Sequence, residues 1–227
     1  CQDPHLKFAY GGRADFRGVN NTIYNFMSSD AATVNIRTQD ATFRLNKLTV
    51  HGSFMTDVYI VLKTHHGRFF NMTYSSDNLN DNHWSWHMIR GSCAKGTKKL
   101  PFELGPHAQK TCDDSRITTD MSSTVIDTPE WVITIRGKPV YDRIDGPRHR
   151  LDVSMNAKVG RADFRAPPHG IVGASFAGGK PVHGKTDAYP ERNVEREFWT
   201  TAMAEGAIEG TANDYVMSSP CETVFRF

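Results

Sequence analysis

The feature of this sequence that most constrains its fold is a period-two alternation of apolar and polar residues. Runs that fit this period lie at residues 33–37, 48–50, 58–62, 84–86 and 131–136. Successive side chains of a strand point to opposite faces of a sheet, so these runs predict half-buried strands. The sequence therefore favours a protein built from β-sheets.

Turn signals join some of these runs at hairpin spacing. The stretches His65-His66-Gly67-Arg68 and Arg136-Gly137-Lys138-Pro139 each separate two strand-like runs, which predicts antiparallel neighbours. Helix-forming residues collect only at 195–208, where Gly206 interrupts them. We therefore predict an all-β fold, a single antiparallel β-sandwich-like domain with at most one short helix.

Length and composition bound the size of the core. The chain has 227 residues, of which 38% are hydrophobic and 11% aromatic, enough for a substantial core. No linker-like stretch divides it, so one domain over residues 1–227 is expected. The longest apolar run, residues 58–62, is far too short to span a membrane. The chain begins with Cys1, from which we expect that a leader or a larger precursor has been removed.

Charge argues against a nucleic-acid partner. The net charge is only +2, and acids alternate with bases along the chain. The nearest approach to a basic cluster is Lys95, Lys98 and Lys99, which we interpret as a solvated loop. Ten histidines raise the hypothesis of acid sensitivity, with surface histidines of no consequence as the alternative.

The four cysteines indicate an oxidising compartment. Cys1, Cys93, Cys112 and Cys221 allow three pairings, of which we favour Cys1–Cys221 and Cys93–Cys112 from their positions in the chain. The spacing does not fit a zinc site. Two glycosylation sequons begin at Asn20 and Asn71. Together these features predict an extracellular or cell-surface protein.

A hexamer, Gly-Arg-Ala-Asp-Phe-Arg, occurs at residues 12–17 and again at 160–165. The sequences that follow the two copies do not match, so we interpret the hexamer as a local turn and strand used twice, not as a repeated domain. In each copy the phenylalanine, Phe16 or Phe164, is expected to be buried.

The opening of the chain carries the first family-like motif. It places Cys1, Asp3-Pro4-His5, Phe8, Gly11-Gly12, Phe16 and Gly18 in an order that resembles the start of von Willebrand factor type D domains. Phe8, Phe16 and Tyr24 or Phe26 are expected to point inward, and Gly11-Gly12 to form a tight turn between the first two strands. Gln2 replaces the family's glycine, so self-cleavage is not expected.

The second motif is His169-Gly170-Ile171-Val172-Gly173-Ala174-Ser175-Phe176. It resembles a conserved stretch of type D domains, and more closely the branch of root-cap proteins and of the tail of inter-α-trypsin inhibitor heavy chains. The family's calcium-binding asparagine is replaced by Ala174, whose methyl group cannot ligate the ion. We therefore predict no cofactor and no metal site, with calcium as the less favoured alternative.

Two stretches resemble catalytic motifs, and each lacks a feature that the chemistry requires. Ser175 nearly completes a hydrolase elbow, but Ala177 stands in place of its final glycine. Asp113 and Asp114 resemble an acid pair, yet adjacent strand residues point to opposite faces. The sequence thus predicts a protein that is not an enzyme, with a hydrolase as a distant third possibility.

Residues 75–84 are rich in oxygen-bearing side chains, but Leu79 breaks the formal calcium-loop pattern, so a polar turn is expected. Trp84 and Trp86 are interpreted as a core stripe. Type D-like domains act mainly through their surfaces, so the resemblance implies a structural or adhesive module that assembles with copies of itself or other secreted proteins. The alternative is a carbohydrate-binding domain of a cell surface or wall.

Overall fold

The structure, a computed structural model, describes residues 5–96, 98–160 and 164–223. Its strands, in chain order, are β1 (His5–Lys7), β2 (Arg13–Asp15), β3 (Thr22–Ser28), β4 (Ala32–Leu45), β5 (Leu48–Lys63), β6 (Phe69–Ser75), β7 (Ile89–Lys95), β8 (Lys98–Leu104), β9 (Gln109–Cys112), β10 (Ser115–Thr119), β11 (Ser123–Asp127), β12 (Trp131–Pro139), β13 (Arg143–Asp145), β14 (His149–Ala157) and β15 (Arg196–Trp199). One α-helix, α1 (Ser175–Gly178), and short 3₁₀ turns at Ala9–Gly11, Ser76–Asn78 and Ala212–Tyr215 complete the described elements.

These strands form three sheets. The large sheet has the order β13-β4-β5-β6-β7-β8, with β3 paired to β4 and β15 paired to β5. The small sheet has the order β14-β12-β11-β10-β9, and β1 pairs with β2. The β15–β5 pairing is parallel and the others are antiparallel. The predicted all-β fold with at most one short helix is confirmed.

The large and small sheets share one hydrophobic core. The large sheet contributes fully buried side chains such as Ile60 and Tyr74, and the small sheet contributes Trp131, Ile133 and Ile135. A second cluster of Phe43, Val50 and Phe54 and their neighbours lies apart from this core, and Phe198 of β15 packs against it. Burial of this much apolar surface is the main favourable term in folding.

Most of the predicted strands are found where the period-two pattern placed them. Residues 33–37 lie in β4, residues 48–50 and 58–62 both lie in the long β5, and residues 131–136 lie in β12. The turn at residues 65–68 joins β5 to β6, where Lys63 pairs with Phe69.

The predicted turn at residues 136–139 is wrong, because these residues continue β12. Gly137 is needed there for close packing and not for a turn. A Cβ at this position would lie 2.4 Å from the Leu79 side chain and 3.1 Å from the Tyr74 hydroxyl. Position 137 does require a glycine, but the reason is close packing in the core and not a turn.

The helix expected at residues 195–208 is also wrong. Residues Arg196–Trp199 form β15, which pairs with Leu48–His51 of β5. Phe198 reaches the second apolar cluster from this strand. Tertiary packing overrides the local helix propensity of this segment. The single short helix forms instead at Ser175–Gly178.

The opening motif folds as predicted around its aromatic residues. Phe8, Phe16, Tyr24 and Phe26 are all buried. The turn between β1 and β2 is a 3₁₀ turn at Ala9–Gly11. The next position, Gly12, has no room for a side chain, because a Cβ there would lie 2.1 Å from the Val182 carbonyl oxygen. In the second hexamer, residues 161–163 lie outside the described residues, and Phe164 is half-buried and stacks on Trp131.

Candidate functional site

Strand β14 is more deeply buried in its first half than in its second. His149 and Leu151 on its core-facing side are buried, and the Arg150 guanidinium lies 5.5 Å from the ring centroid of Phe54 in β5. Further along, Val153 and Met155 are only half-buried. Their partners on β12, Ile135 and Ile133, are completely buried. The C-terminal half of β14 is therefore less deeply buried than the strand that it pairs with.

A groove lies beside this part of β14. It has a volume of about 620 Å³ and runs between β14 and the segment that includes β1 and the 3₁₀ turn. Its apolar lining includes Leu6, Phe8, Phe26, Met55, Met155 and Phe176. Cavities of this size, mostly apolar with a few polar groups, are typical of binding sites.

The wall of the groove opposite β14 is held by a buried carboxylate. Asp15, which is 4% exposed, accepts a hydrogen bond from the backbone N–H of Asp187 at 2.8 Å. Its second oxygen lies 2.5 Å from Nδ1 of His5, which lines the groove. Asp15 therefore ties β1 to β2 and to the loop that follows Lys185.

Ser175, the candidate nucleophile of the sequence, also supports this wall. Its hydroxyl donates to the Val172 carbonyl at 2.7 Å and accepts from the backbone N–H of Ala9 at 3.0 Å. The side chain is 5% exposed. These contacts join the turn after β1 to the motif of residues 169–176, so the groove geometry depends on both family-like stretches.

The backbone of β14 is paired on one side only. It forms a regular antiparallel ladder with β12, without a bulge, from Trp131↔Ala157 to Pro139↔His149. In the described parts of the chain, residues 149–157 make no backbone hydrogen bond to any other segment. An edge strand directs half of its N–H and C=O groups away from its neighbour, where a further strand can bind them.

Two other sheet edges, β8 and β9, differ from β14 in charge or in length. β8, the last strand of the large sheet, carries Lys98, Lys99, Pro101 and Glu103. β9, at the far end of the small sheet, has four residues and is anchored at Cys112. By contrast, residues 153–157 of β14 contain no charged residue and no proline. Lysine, proline and short length are the devices that keep sheet edges from pairing.

A second exposed surface surrounds the two tryptophans of residues 84–86. Their interpretation as a core stripe is wrong, because residues 84–86 form a loop and Trp86 is 69% exposed. The two indole rings meet edge to face, with centroids 5.2 Å apart. Trp86 lies against the backbone of Gly105.

Polar side chains lie close to this loop. The Glu103 carboxylate of β8 lies 2.5 Å from Nδ1 of His87 and 3.2 Å from Nε of Arg90. The Asn80 side chain accepts from the backbone N–H of Asn82 at 2.9 Å, which makes residues 80–82 the polar turn that was predicted. An exposed aromatic ring beside hydrogen-bonding side chains is a suitable surface for a sugar.

The cysteines fall into two groups. Cys93 of β7 and Cys112 of β9, one of the favoured pairs, are joined by a disulfide with a Cα–Cα distance of 6.0 Å. This bond links the large sheet to the small sheet. Cys1 lies outside the described residues, and Cys221 is exposed without a disulfide to the part of the chain described here. The Cys1–Cys221 pairing stays a prediction.

The two sequons have different surroundings. Asn20 is exposed in the turn before β3, where its side-chain oxygen accepts from the Asp40 backbone at 3.0 Å. Asn71 is half-buried inside β6, between Val61 of β5 and Ser92 of β7. Glycans occupy surface positions, so the geometry favours Asn20 over Asn71 as an acceptor. Modification of either residue stays a prediction.

The adjacent acids Asp113 and Asp114 join two hairpins. Asp113 accepts from the Thr64 hydroxyl at 2.7 Å, and Asp114 lies 2.9 Å from Nδ1 of His65. Both contacts reach from the β9–β10 turn to the β5–β6 turn. Across residues 5–96, 98–160 and 164–223, no cluster of three or more His, Cys, Asp or Glu side chains is arranged to hold a metal ion.

Burial changes the proton affinity of two groups in the large and small sheets. Burial lowers the pKa of His149, and the nearby His83, whose ring centroid lies 5.2 Å away, lowers it further. Burial also raises the pKa of Tyr59 to about 12, helped by the charge of Asp57 and opposed by Arg37. Both shifts oppose the charged form of the side chain, as expected for buried groups.

Comparison of the sequence with known proteins does not test the family resemblance, which stays a prediction. In the part of the chain that the structure describes, no helix has the length and apolar character needed to cross a membrane. No protein-family model matches the sequence, and no curated protein matches it significantly. The open edge of β14 and the tryptophan loop are therefore identified as candidate binding sites from their geometry alone.

Proposed function

We propose that this chain is a non-catalytic extracellular module that assembles with other protein molecules through the edge of β14. The observation that carries the proposal is the uncharged stretch 153–157, which pairs with β12 on one side, has no strand partner among the described residues on the other, and lies beside an apolar groove of about 620 Å³. Sheet edges recruit strands of other chains by main-chain hydrogen bonds, and neighbouring pockets add specificity. The Cys93–Cys112 disulfide fits an oxidising location such as the cell exterior.

Paired lysine substitutions test this proposal. Ser154→Lys with Asn156→Lys places two charges on exposed positions of β14. The matched control, Gln109→Lys with Thr111→Lys, places two charges on exposed positions of β9, at the other edge of the same sheet. We expect the β14 variant to lose concentration-dependent association in sedimentation experiments, and the β9 variant to keep it. Equal association of both variants would contradict the proposal.

A second candidate function is carbohydrate binding at the tryptophan loop. The exposed Trp86 ring and the nearby His87, Arg90 and Glu103 favour it. Aromatic rings bind the apolar faces of sugars while polar side chains bind the hydroxyls. A glycan array probed with the native chain and with Trp86→Ala distinguishes the two functions. Binding that Trp86→Ala abolishes, without loss of protein association, would assign this surface to a glycan.

A further inference from the structure

The groove beside β14 has a shape and charge that specify its occupant. We propose that it binds an extended segment of another protein, with apolar residues at every second position and an acidic residue at one end. This inference rests on the proposed function, because it names the partner that the edge of β14 takes up in assembly.

The alternation follows from the register of β14. All five residues of 153–157 line the groove. Val153, Met155 and Ala157 are half-buried on one face of the strand, and Ser154 and Asn156 are exposed on the other. A strand added beside β14 continues the pleat, so its own alternate side chains point the same way. Those side chains enter a space floored by Phe26 and Met55.

The length of the bound segment follows from the open part of the edge. Residues 153–157 span about 16 Å at roughly 3.3 Å per residue, which leaves room for about three inward-pointing side chains. The first half of β14 is a different environment, because Arg150 pairs with Asp152 at 2.8 Å and lies over Phe54. Strand addition is therefore expected over the C-terminal half.

The acidic end follows from the charges around the groove. Lys7 is the positively charged side chain that lines it, and among the described residues no carboxylate side chain belongs to the lining. His5 already contacts Asp15, while Lys7 is exposed and forms no ion pair with the described residues. A carboxylate next to the apolar stretch would meet Lys7, which favours an acidic segment over a basic one.

Fluorescence anisotropy with synthetic nonapeptides tests the inference on the full chain. The first peptide alternates valine and serine and ends in two aspartates. The second has the same composition with its valines contiguous, and the third is the first with every second backbone amide methylated. We expect the first peptide to bind at least about tenfold more tightly than the other two, because they lose the register or about two to three hydrogen bonds.

Two variants at the groove and one control on β8 assign this binding to the groove. Met155→Asp should weaken binding of the alternating peptide at least about tenfold, because it places a charge among apolar side chains. Leu100→Asp on β8, also a half-exposed apolar residue near a sheet edge, should not change it. The native chain should bind the alternating peptide more tightly when it ends in two aspartates than when it ends in two lysines. Lys7→Glu should reverse this preference, changing the affinity for each of these two peptides by about threefold. Circular dichroism and thermal unfolding check that each variant is folded.

The outcomes separate this inference from the proposed function. Equal binding of the alternating and contiguous peptides, or no effect of Met155→Asp, would overturn the inference even if the chain associates through β14. Displacement of the peptide by decanoate at lower concentrations than by unlabelled peptide would also overturn it and assign the groove to a lipid. Peptide selectivity in a chain that associates with no protein would support the inference and contradict the proposed function.

Discussion

Two sheet edges of this protein, β8 and β14, differ in how they meet solvent. β8 carries Lys98, Lys99 and Pro101, and its neighbour β7 is linked to β9 by the Cys93–Cys112 disulfide. The C-terminal half of β14 has neither charge nor proline and lies beside an apolar groove. The difference teaches that this chain protects one edge against pairing and leaves another available for it.

The largest expected effect compares two residues that face each other across β12 and β14. Ile133 is completely buried and its partner Met155 is half-buried at the groove. We expect Ile133→Ala to lower the free energy of unfolding by about 3.5 kcal/mol, and Met155→Ala by less than about 1 kcal/mol. Urea unfolding measures both. Equal losses would mean that the groove is filled in solution, which contradicts an open edge.

Removal of the disulfide tests whether association through β14 depends on the covalent link between the two sheets. The bond joins residues 19 apart in sequence. Replacing both Cys93 and Cys112 by serine should lower the free energy of unfolding by about 3 kcal/mol, because the unfolded chain gains freedom. At temperatures where the variant stays folded, association through β14 should be unchanged. Loss of association in a folded variant would show that the two edges are not independent.

The charges on β8 give a third test. Lys98→Val with Lys99→Thr and Pro101→Val removes the features that protect this edge. Stability should change by only about 0.5 kcal/mol, because these residues are exposed. A second mode of association should appear that Ser154→Lys with Asn156→Lys does not abolish. Light scattering over a range of concentrations measures it, and a monomeric triple variant would contradict the role given to these residues.

The smallest effect concerns pH and the buried end of β14. Burial lowers the pKa of His149 below its ordinary value of 6.5, and the neighbouring His83 and Arg148 lower this pKa further. The charge of Asp81 acts in the opposite direction but does not reverse the shift. On acidification through pH 6.5 the unfolded chain therefore takes up this proton before the folded chain does. Stability should fall as the pH falls below this value, since the unfolded state binds more protons.

The variant His149→Gln isolates this contribution. It should show a weaker loss of stability than the native chain between pH 7.5 and 5.5 in urea unfolding. An unchanged pH dependence would mean that His149 is not the group responsible. The test also addresses the acid sensitivity suggested by the ten histidines.

The sequence predicted the fold better than it predicted the surfaces. Period-two patterns located parts of β4, β5 and β12, because one face of each strand enters the core. The same reasoning misplaced Trp84 and Trp86, which have the right period but lie in an exposed loop. It also mistook Gly137 for a turn residue, since the crowding by Leu79 arises only in the tertiary structure.

The edge of β14 could not be identified from the sequence. Whether a strand lies at an edge depends on sheet order, which joins β14 to β12 and gives its other side no partner among the residues that the structure describes. The half-burial of Met155 likewise arises only in the tertiary structure, where its partner Ile133 on β12 is completely buried. One signal was present in the sequence: the C-terminal half of β14 lacks lysine and proline.

Residue-resolved amide hydrogen exchange, with and without the saturating alternating peptide, tests the central claim most directly. The account predicts that new protection appears within residues 153–157 of β14 and is absent from β8. Protection that appears instead along Lys98–Leu104, or only in the loop around Trp86, would contradict the assignment of β14 as the edge that recruits a partner strand.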